Sequence, residues 1–193
     1  FALARGPRAW RRLPAMAIGA ARIFAAAADR RRLLKEALLR VIDALSAAEQ
    51  EELVTGFLDE VLATRLRREV SDRVGADRAA GHVTALISAS PDVYVRALGS
   101  RLGFDLVLCT RLVDRADGGK ESRVAGRNCK GQEKLAALRR HLGDTPVAWE
   151  TSRAYSDHIS DLPLLERVGT PVAVHPERRL RAVARARGWT TLG

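Results

Sequence analysis

Cysteine is scarce in this 193-residue chain: only Cys109 and Cys129 occur, and neither belongs to a Cys-x-x-Cys pair. That excludes a disulfide framework or a thiolate zinc site as the organising principle, and a reducing, cytoplasmic setting is the simplest expectation. Histidine is equally thin, and His82, His141 and His175 form no cluster along the sequence. Lysine is confined to Lys35, Lys120, Lys130 and Lys134, so the net charge of +10 comes almost wholly from arginine. No basic run interleaves with aromatics on a nucleic-acid module, so no nucleic-acid partner is expected. Long apolar runs are missing too. The stretch from Leu13 to Ala21 is broken by Arg22, far short of the roughly 20 residues a membrane span needs.

What is present fits a globular chain. An apolar fraction of 47% and a charged fraction of 29% match ordinary soluble domains, and the length allows one good core or a core with a small accessory domain. Positive charge of this size suits anionic lipid or phosphorylated substrates as well as simple solvated arginine faces. Near the start, Arg5, Arg8, Arg11 and Arg12 precede the short apolar stretch and imitate a signal peptide. An amphipathic helix in a helical domain is the reading preferred here, with a helix lying on a membrane surface as the alternative. The chain opens on Phe1 rather than Met, and a fragment of a longer protein is expected.

The first seventy-odd residues read as helices alone. Asp29 is placed to cap a helix over Arg30–Leu45, where Leu33, Leu34, Ala37, Leu38, Val41 and Ile42 recur at helical spacing. Ser46 with Glu49 three residues on forms a capping box that opens a second helix. After Gly81 the pattern changes. Val83–Ile87 reads as a buried strand ending at Ser88, Ser90-Pro91 starts a helix closed by Gly103, and Phe104–Thr110 is a second strand. Residues 111–114 and 123–125 form a hairpin across Asp117-Gly118-Gly119. Gly131 opens a helix with Leu135, Leu138 and Leu142 inward. A strand ending near Tyr155, a helix from Asp161, the strand Pro171–Val174, a helix over Glu177–Arg187 and a last strand, Trp189–Leu192, complete the order. Such alternation predicts an α/β fold with a parallel sheet and right-handed crossovers.

Four positions carry candidate chemistry. Ser88, at an expected strand end before a helix, offers a hydroxyl to an anion, or else caps a turn. Lys134, one turn into its helix, places a point charge for a phosphoryl group, or else is a solvated lysine; Lys130 competes for the role one turn earlier. Asp157 and Asp161, four residues apart after an apolar run, form a seat for a hard cation such as Mg²⁺, although Asp161 also fits as a helix cap. His158 between them is not read as a ligand, because such cations prefer oxygen.

Taken in order, Leu86-Ile87-Ser88-Ala89-Ser90, Cys129-x-Gly131-x-x-Lys134 and Tyr155-Ser156-Asp157-x-x-x-Asp161-Leu162-Pro163-Leu164-Leu165 resemble motifs two, three and four of the haloacid dehalogenase superfamily. More narrowly, the chain is similar to its phosphoserine-phosphatase-like branch, subfamily IB, and Val172–Glu177 resembles that branch's closing strand and turn. The resemblance implies a Rossmann-like three-layer core with a parallel sheet over residues 78–193, and an all-helical cap over residues 1–77. It implies that Ser88 and Lys134 act on the transferring phosphoryl group, that Ser88, Ala89 and Lys130 line the substrate site, and that Asp157 and Asp161 serve Mg²⁺, Asp161 through the metal or through Lys134. Electrostatic help of this kind is worth roughly 3 kcal/mol per well-placed donor.

One part is missing. The family's first motif, Asp-x-Asp-x-Thr, supplies the nucleophile at the end of the central strand, and no Asp-x-Asp occurs anywhere here. Without that carboxylate an aspartyl-phosphate cannot form. The expectation is therefore a Mg²⁺-dependent phosphomonoester hydrolase when intact, with the chain as written inactive and the missing strand encoded just upstream. Its substrate would be a small phosphorylated metabolite or a phospholipid headgroup phosphate, in the cytoplasm or peripheral to the inner membrane face. The alternatives are a non-catalytic phosphate- or metal-binding protein of the same fold, or a basic membrane-surface adaptor.

Overall fold

The computed structural model describes residues 30–193, and the backbone divides into two compact units. The expectations for the arginine-rich start and for Asp29 as a cap lie outside the described residues. Of the described residues, the first unit contains 30–86 together with Ser90–Asn128, and the second contains Ile87–Ala89 together with Cys129–Gly193.

The first unit begins with α1 (Arg30–Leu39), which gives way to a 3₁₀ turn over Arg40–Ala44 where a single helix to Leu45 is expected from the apolar spacing. The tightening turns Ile42 fully inward, onto Leu39, Leu112 and Val124. Ser46 then caps α2 (Ala47–Thr64). Its hydroxyl accepts the Glu49 N–H while the Glu49 carboxylate accepts the Ser46 N–H, the reciprocal box expected from the sequence. Helix α3 (Arg68–Ala79) follows, and Arg78 at its end donates to the carbonyls of Leu102 and Gly103.

Strand β1 (Ala85–Pro91) runs three residues beyond Ser88, its expected end. Ser88, Ala89 and Ser90 are small and break nothing. The strand stops at Pro91, which has no N–H to extend a ladder and sits with φ −73° and ψ 148° at the N-cap of α4 (Asp92–Arg101). Strand β2 (Leu106–Thr110) pairs with β1, and β3 (Leu112–Asp114) pairs antiparallel with β4 (Lys120–Val124) as the expected hairpin. Among the described residues β1 pairs with β2 alone.

Two devices hold this unit. The carboxylate of Asp92, almost wholly buried, accepts the Leu112 N–H at 3.0 Å and the Lys120 ammonium at 2.8 Å. Burial works against the Lys120 charge, but its hydrogen bonds to Asp114 and Asp92 outweigh this and raise its pKa above the ordinary lysine value. The second device lies along β4. The N–H groups of Lys120, Ser122 and Val124 donate to the side chains of Gln50, Asp43 and Glu36, at 2.8, 2.6 and 2.8 Å. Those three acceptors are evenly spaced, at positions 36, 43 and 50, on the helical segments before the strands.

The second unit carries α5 (Gln132–Leu142), β5 (Arg153–Ser156), the short α6 (Leu162–Leu165), β6 (Thr170–Val174), α7 (Arg178–Ala186) and β7 (Thr190–Leu192). Strands β5, β6 and β7 form a parallel sheet in that order, with Tyr155 opposite Val172 and Ala173 opposite Thr191. Parallel strands need crossovers, and α6 and α7 supply them. Their inward residues Leu165, Leu180 and Ala184 pack with Ala154 and Ala173 into the core. Among the described residues β5 pairs with β6 alone, so its other edge has no strand. The architecture is the mixed α/β, Rossmann-like fold with parallel sheets expected from the alternation of elements.

Candidate active site

The polar centre of the second unit lies where the chain leaves β5. In a parallel α/β sheet this carboxyl end is where ligands gather. The strand ends at Ser156, a loop carries Asp157 and His158, and a 3₁₀ turn over Ile159–Asp161 leads into α6. Asp161 occupies the N-cap position of α6, yet its side chain makes no capping bond. Its Oδ2 instead takes the Lys134 ammonium at 2.6 Å and the Ser156 hydroxyl at 2.8 Å, while Oδ1 takes the Ser160 hydroxyl at 3.3 Å. Lys134 and Asp161 side chains are only 12% and 10% exposed, so this is a buried pair rather than a surface contact.

Helix α5 delivers the lysine. Gly131 at its N-cap has φ +61°, a left-handed conformation that glycine adopts without strain. Leu135 and Leu138 anchor the helix in the core, and Lys134, beside Leu135, reaches Asp161. Lys130 precedes Gly131 and contributes a backbone carbonyl to Glu133 N–H. The structure thus sets Lys134, not Lys130, against the Asp161 carboxylate.

Ser88 and Ala89 are half-buried in the interior of β1, and both belong to this second unit. Asp157 is exposed, and its backbone carbonyl accepts the Glu177 N–H at 2.9 Å. Ser88, Ala89, Lys130, Lys134, Asp157 and Asp161 therefore share one compact unit, within which the Lys134 and Asp161 side chains are in direct contact.

Mg²⁺ is commonly held by one or two carboxylates, the remaining positions going to water and substrate phosphate. Asp157, exposed at the loop tip, fits such a ligand. Asp161 fits the metal less well, since an oxygen already facing an ammonium is a poor seat for a dication. Among the described residues no group of three or more His, Cys, Asp or Glu side chains converges as a metal cage. The donor set therefore suits a hard ion shared with a phosphate, not a closed structural site. His158 is committed elsewhere: its Nδ1 accepts the Ser160 N–H at 3.0 Å and its Nε2 lies 3.5 Å from a Glu177 oxygen.

Sequence reasoning missed Ser156, Ser160 and Glu177. Ser156 and Ser160 sit beside the two acids and could have been suspected as their partners. Glu177 closes the Val172–Glu177 segment picked out by the resemblance, but a residue opening a helix after a proline reads as a cap, and no role at the site was given to it.

The comparison with known proteins defines the class. A sequence model of haloacid dehalogenase-like hydrolases matches residues 1–166, and the chain belongs to that family. A probable phosphatase of Mycobacterium tuberculosis (strain H37Rv) is 31% identical over 145 residues, which are 75% of this chain and 50% of that protein. A phosphoserine phosphatase of the same organism is 32% identical over 151 residues, 78% of this chain and 49% of its own length. The chain thus spans about half the length of these curated relatives. Among solved structures, a Bordetella pertussis Tohama I protein of unknown function aligns with a TM-score of 0.79 at 26% identity, over 96% of this chain and 82% of that one. A probable phosphoserine phosphatase from Vibrio cholerae shares the fold with a TM-score of 0.67 at 18% identity, over 94% of this chain and 51% of that one. Among the described residues no helix is long and apolar enough to cross a membrane.

Proposed function

We propose that this chain forms part of a Mg²⁺-dependent phosphomonoester hydrolase, acting on a small phosphorylated metabolite or a phospholipid headgroup phosphate in the cytoplasm. The observation that carries the reading is the Lys134 ammonium, held at 2.6 Å by a buried Asp161 within the unit that also contains Ser88 and Asp157. Phosphoryl transfer depends on positioning and charge compensation more than on covalent work by the protein. Ser88, with Ala89, contributes a hydroxyl and backbone to the phosphoryl oxygens. Lys134 neutralises them, and Asp161 fixes the direction of that ammonium. Asp157 is the carboxylate for Mg²⁺, which when bound polarises the phosphoryl oxygens. Lys130 adds positive charge at the substrate's side. We assign residues 1–77 to the cap domain and residues 78–193 to the core.

With no Asp-x-Asp in its sequence, this polypeptide by itself binds phosphate without turning over a phosphoester. That same absence favours the second reading, a non-catalytic phosphate binder. Two measurements test the pair. Thermal melts in millimolar phosphate and Mg²⁺ should show stabilisation of about 1.4 kcal/mol when phosphate is tenfold above its Kd. Ser88→Ala and Lys134→Ala should abolish it, and Asp157→Asn should remove its Mg²⁺-dependent part. A phosphate response unchanged in the Ser88 and Lys134 variants overturns the site. Hydrolysis of p-nitrophenyl phosphate by this polypeptide overturns the claim that it lacks its nucleophile.

A further inference from the structure

Glu177 opens α7 from the N-cap position, where a side chain ordinarily accepts a helix N–H, yet it makes no such bond. Its carbonyl accepts the Arg181 N–H within the helix, while its N–H and both side-chain oxygens turn to the loop after β5. Its N–H donates to the Asp157 carbonyl at 2.9 Å, its Oε1 accepts the Ile159 N–H at 3.0 Å, and its Oε2 lies 3.5 Å from His158 Nε2. One residue thus grips three consecutive loop residues, by a carbonyl, a ring and an amide. The grip continues inward. His158 N–H donates to the Ser156 hydroxyl at 3.3 Å, and His158 Nδ1 accepts from Ser160 N–H. Because Nδ1 accepts a backbone N–H, the neutral ring carries its hydrogen on Nε2, the nitrogen that faces Glu177.

These bonds fix both peptide planes that follow Asp157. A carboxylate on a short side chain has little reach of its own, so its direction is set by its backbone. Orienting partners of this kind are needed wherever a metal-binding carboxylate must keep a fixed aim. Resting on the assignment of Asp157 to the metal given above, we propose that Glu177 is a positioning residue: it locks the Asp157–Ile159 loop so that the Asp157 carboxylate is presented to a divalent cation. A glutamate suits the task because its two oxygens serve Ile159 and His158 separately. Glutamine keeps one acceptor for Ile159 N–H but turns its other end against the His158 donor, and alanine keeps only the backbone bond to Asp157.

The test uses the full 193-residue chain and Mn²⁺, followed by electron paramagnetic resonance, as the probe for the Mg²⁺ position. Asp157→Asn should abolish the specific Mn²⁺ signal. Glu177→Ala should weaken Mn²⁺ binding about tenfold and speed hydrogen exchange at Ile159 N–H, and Glu177→Gln should recover part of both. If Glu177→Ala binds Mn²⁺ like the wild type while Asp157→Asn does not bind, the positioning role is refuted and the metal assignment stands. If Asp157→Asn leaves Mn²⁺ binding as it was, or the wild type shows none, the metal assignment fails and takes this inference with it. If alanine lowers affinity and melting temperature together and glutamine rescues neither, Glu177 is merely structural and the proposal is overturned.

Discussion

Replacing Asp161 with asparagine removes one charge from the buried pair and little else in shape. At 2.6 Å the gross attraction between unit charges is about 6 kcal/mol at an effective dielectric constant of 20. Desolvating both groups offsets much of that. Removing one partner nevertheless leaves the other charge buried and uncompensated, which costs about 3–5 kcal/mol. The amide oxygen can still accept from Lys134 and Ser156, so the lower end, about 3 kcal/mol, is expected. For a chain of this size that corresponds to a fall in Tm of roughly 6–12 °C. Urea unfolding read through Trp149 and Trp189, which both lie in the second unit, measures it directly. Lys134→Met alone should be costly for the mirror-image reason, and the double variant should cost less than the two singles together by about 2 kcal/mol. If Asp161→Asn loses under about 0.5 kcal/mol and the cycle is additive, the ammonium is not held by that carboxylate, and the reasoning about how it is aimed fails.

Gly169 donates to the Trp149 carbonyl at 2.8 Å, and a Cβ added there would collide with the backbone of Glu150. Since backbone cannot swing aside as a side chain can, Gly169→Ala should destabilise the second unit by about 2 kcal/mol or more, visible as an earlier urea midpoint. In the first unit, the hydrogen bond from Lys120 holds the Asp114 carboxyl below its usual range. A depressed carboxylate contributes stability that is present above its unfolded pKa, about 3.9, and is lost as pH falls through the lower folded value. The stability difference between wild type and Asp114→Asn should therefore be constant above about pH 5 and shrink in more acidic buffer. A difference that stays flat into strong acid would contradict the pairing.

The fold was legible wherever local chemistry and tertiary packing agree. The Ser46–Glu49 box, the turn at Asp117–Gly119 and the alternation of strand and helix after Gly81 all act over a few residues, and each appears where the pattern places it. Boundaries set by packing were not legible. The 3₁₀ turn at Arg40–Ala44 exists because Ile42 meets Leu112 and Val124 from far along the chain, and β1 outruns Ser88 because three small residues give no stop signal before Pro91. At the site, the residue types were readable but their partners were not. Asp161 looks like a helix cap until Lys134, twenty-seven positions away, is seen to hold it. Glu177 likewise looks like a cap until its oxygens are found on a loop eighteen residues earlier.

The acceptors at positions 36, 43 and 50 have a consequence for how copies of this protein meet. A two-stranded ribbon with a bare row of amides is an invitation to any extended peptide, including another molecule's ribbon. Here the outward donors of Lys120, Ser122 and Val124 are already answered by Gln50, Asp43 and Glu36. An incoming strand would have to displace three side chains that are anchored on helical segments. The ribbon is closed to recruitment along that side by the protein's own chain, a safeguard against runaway self-association built from side chains of another segment.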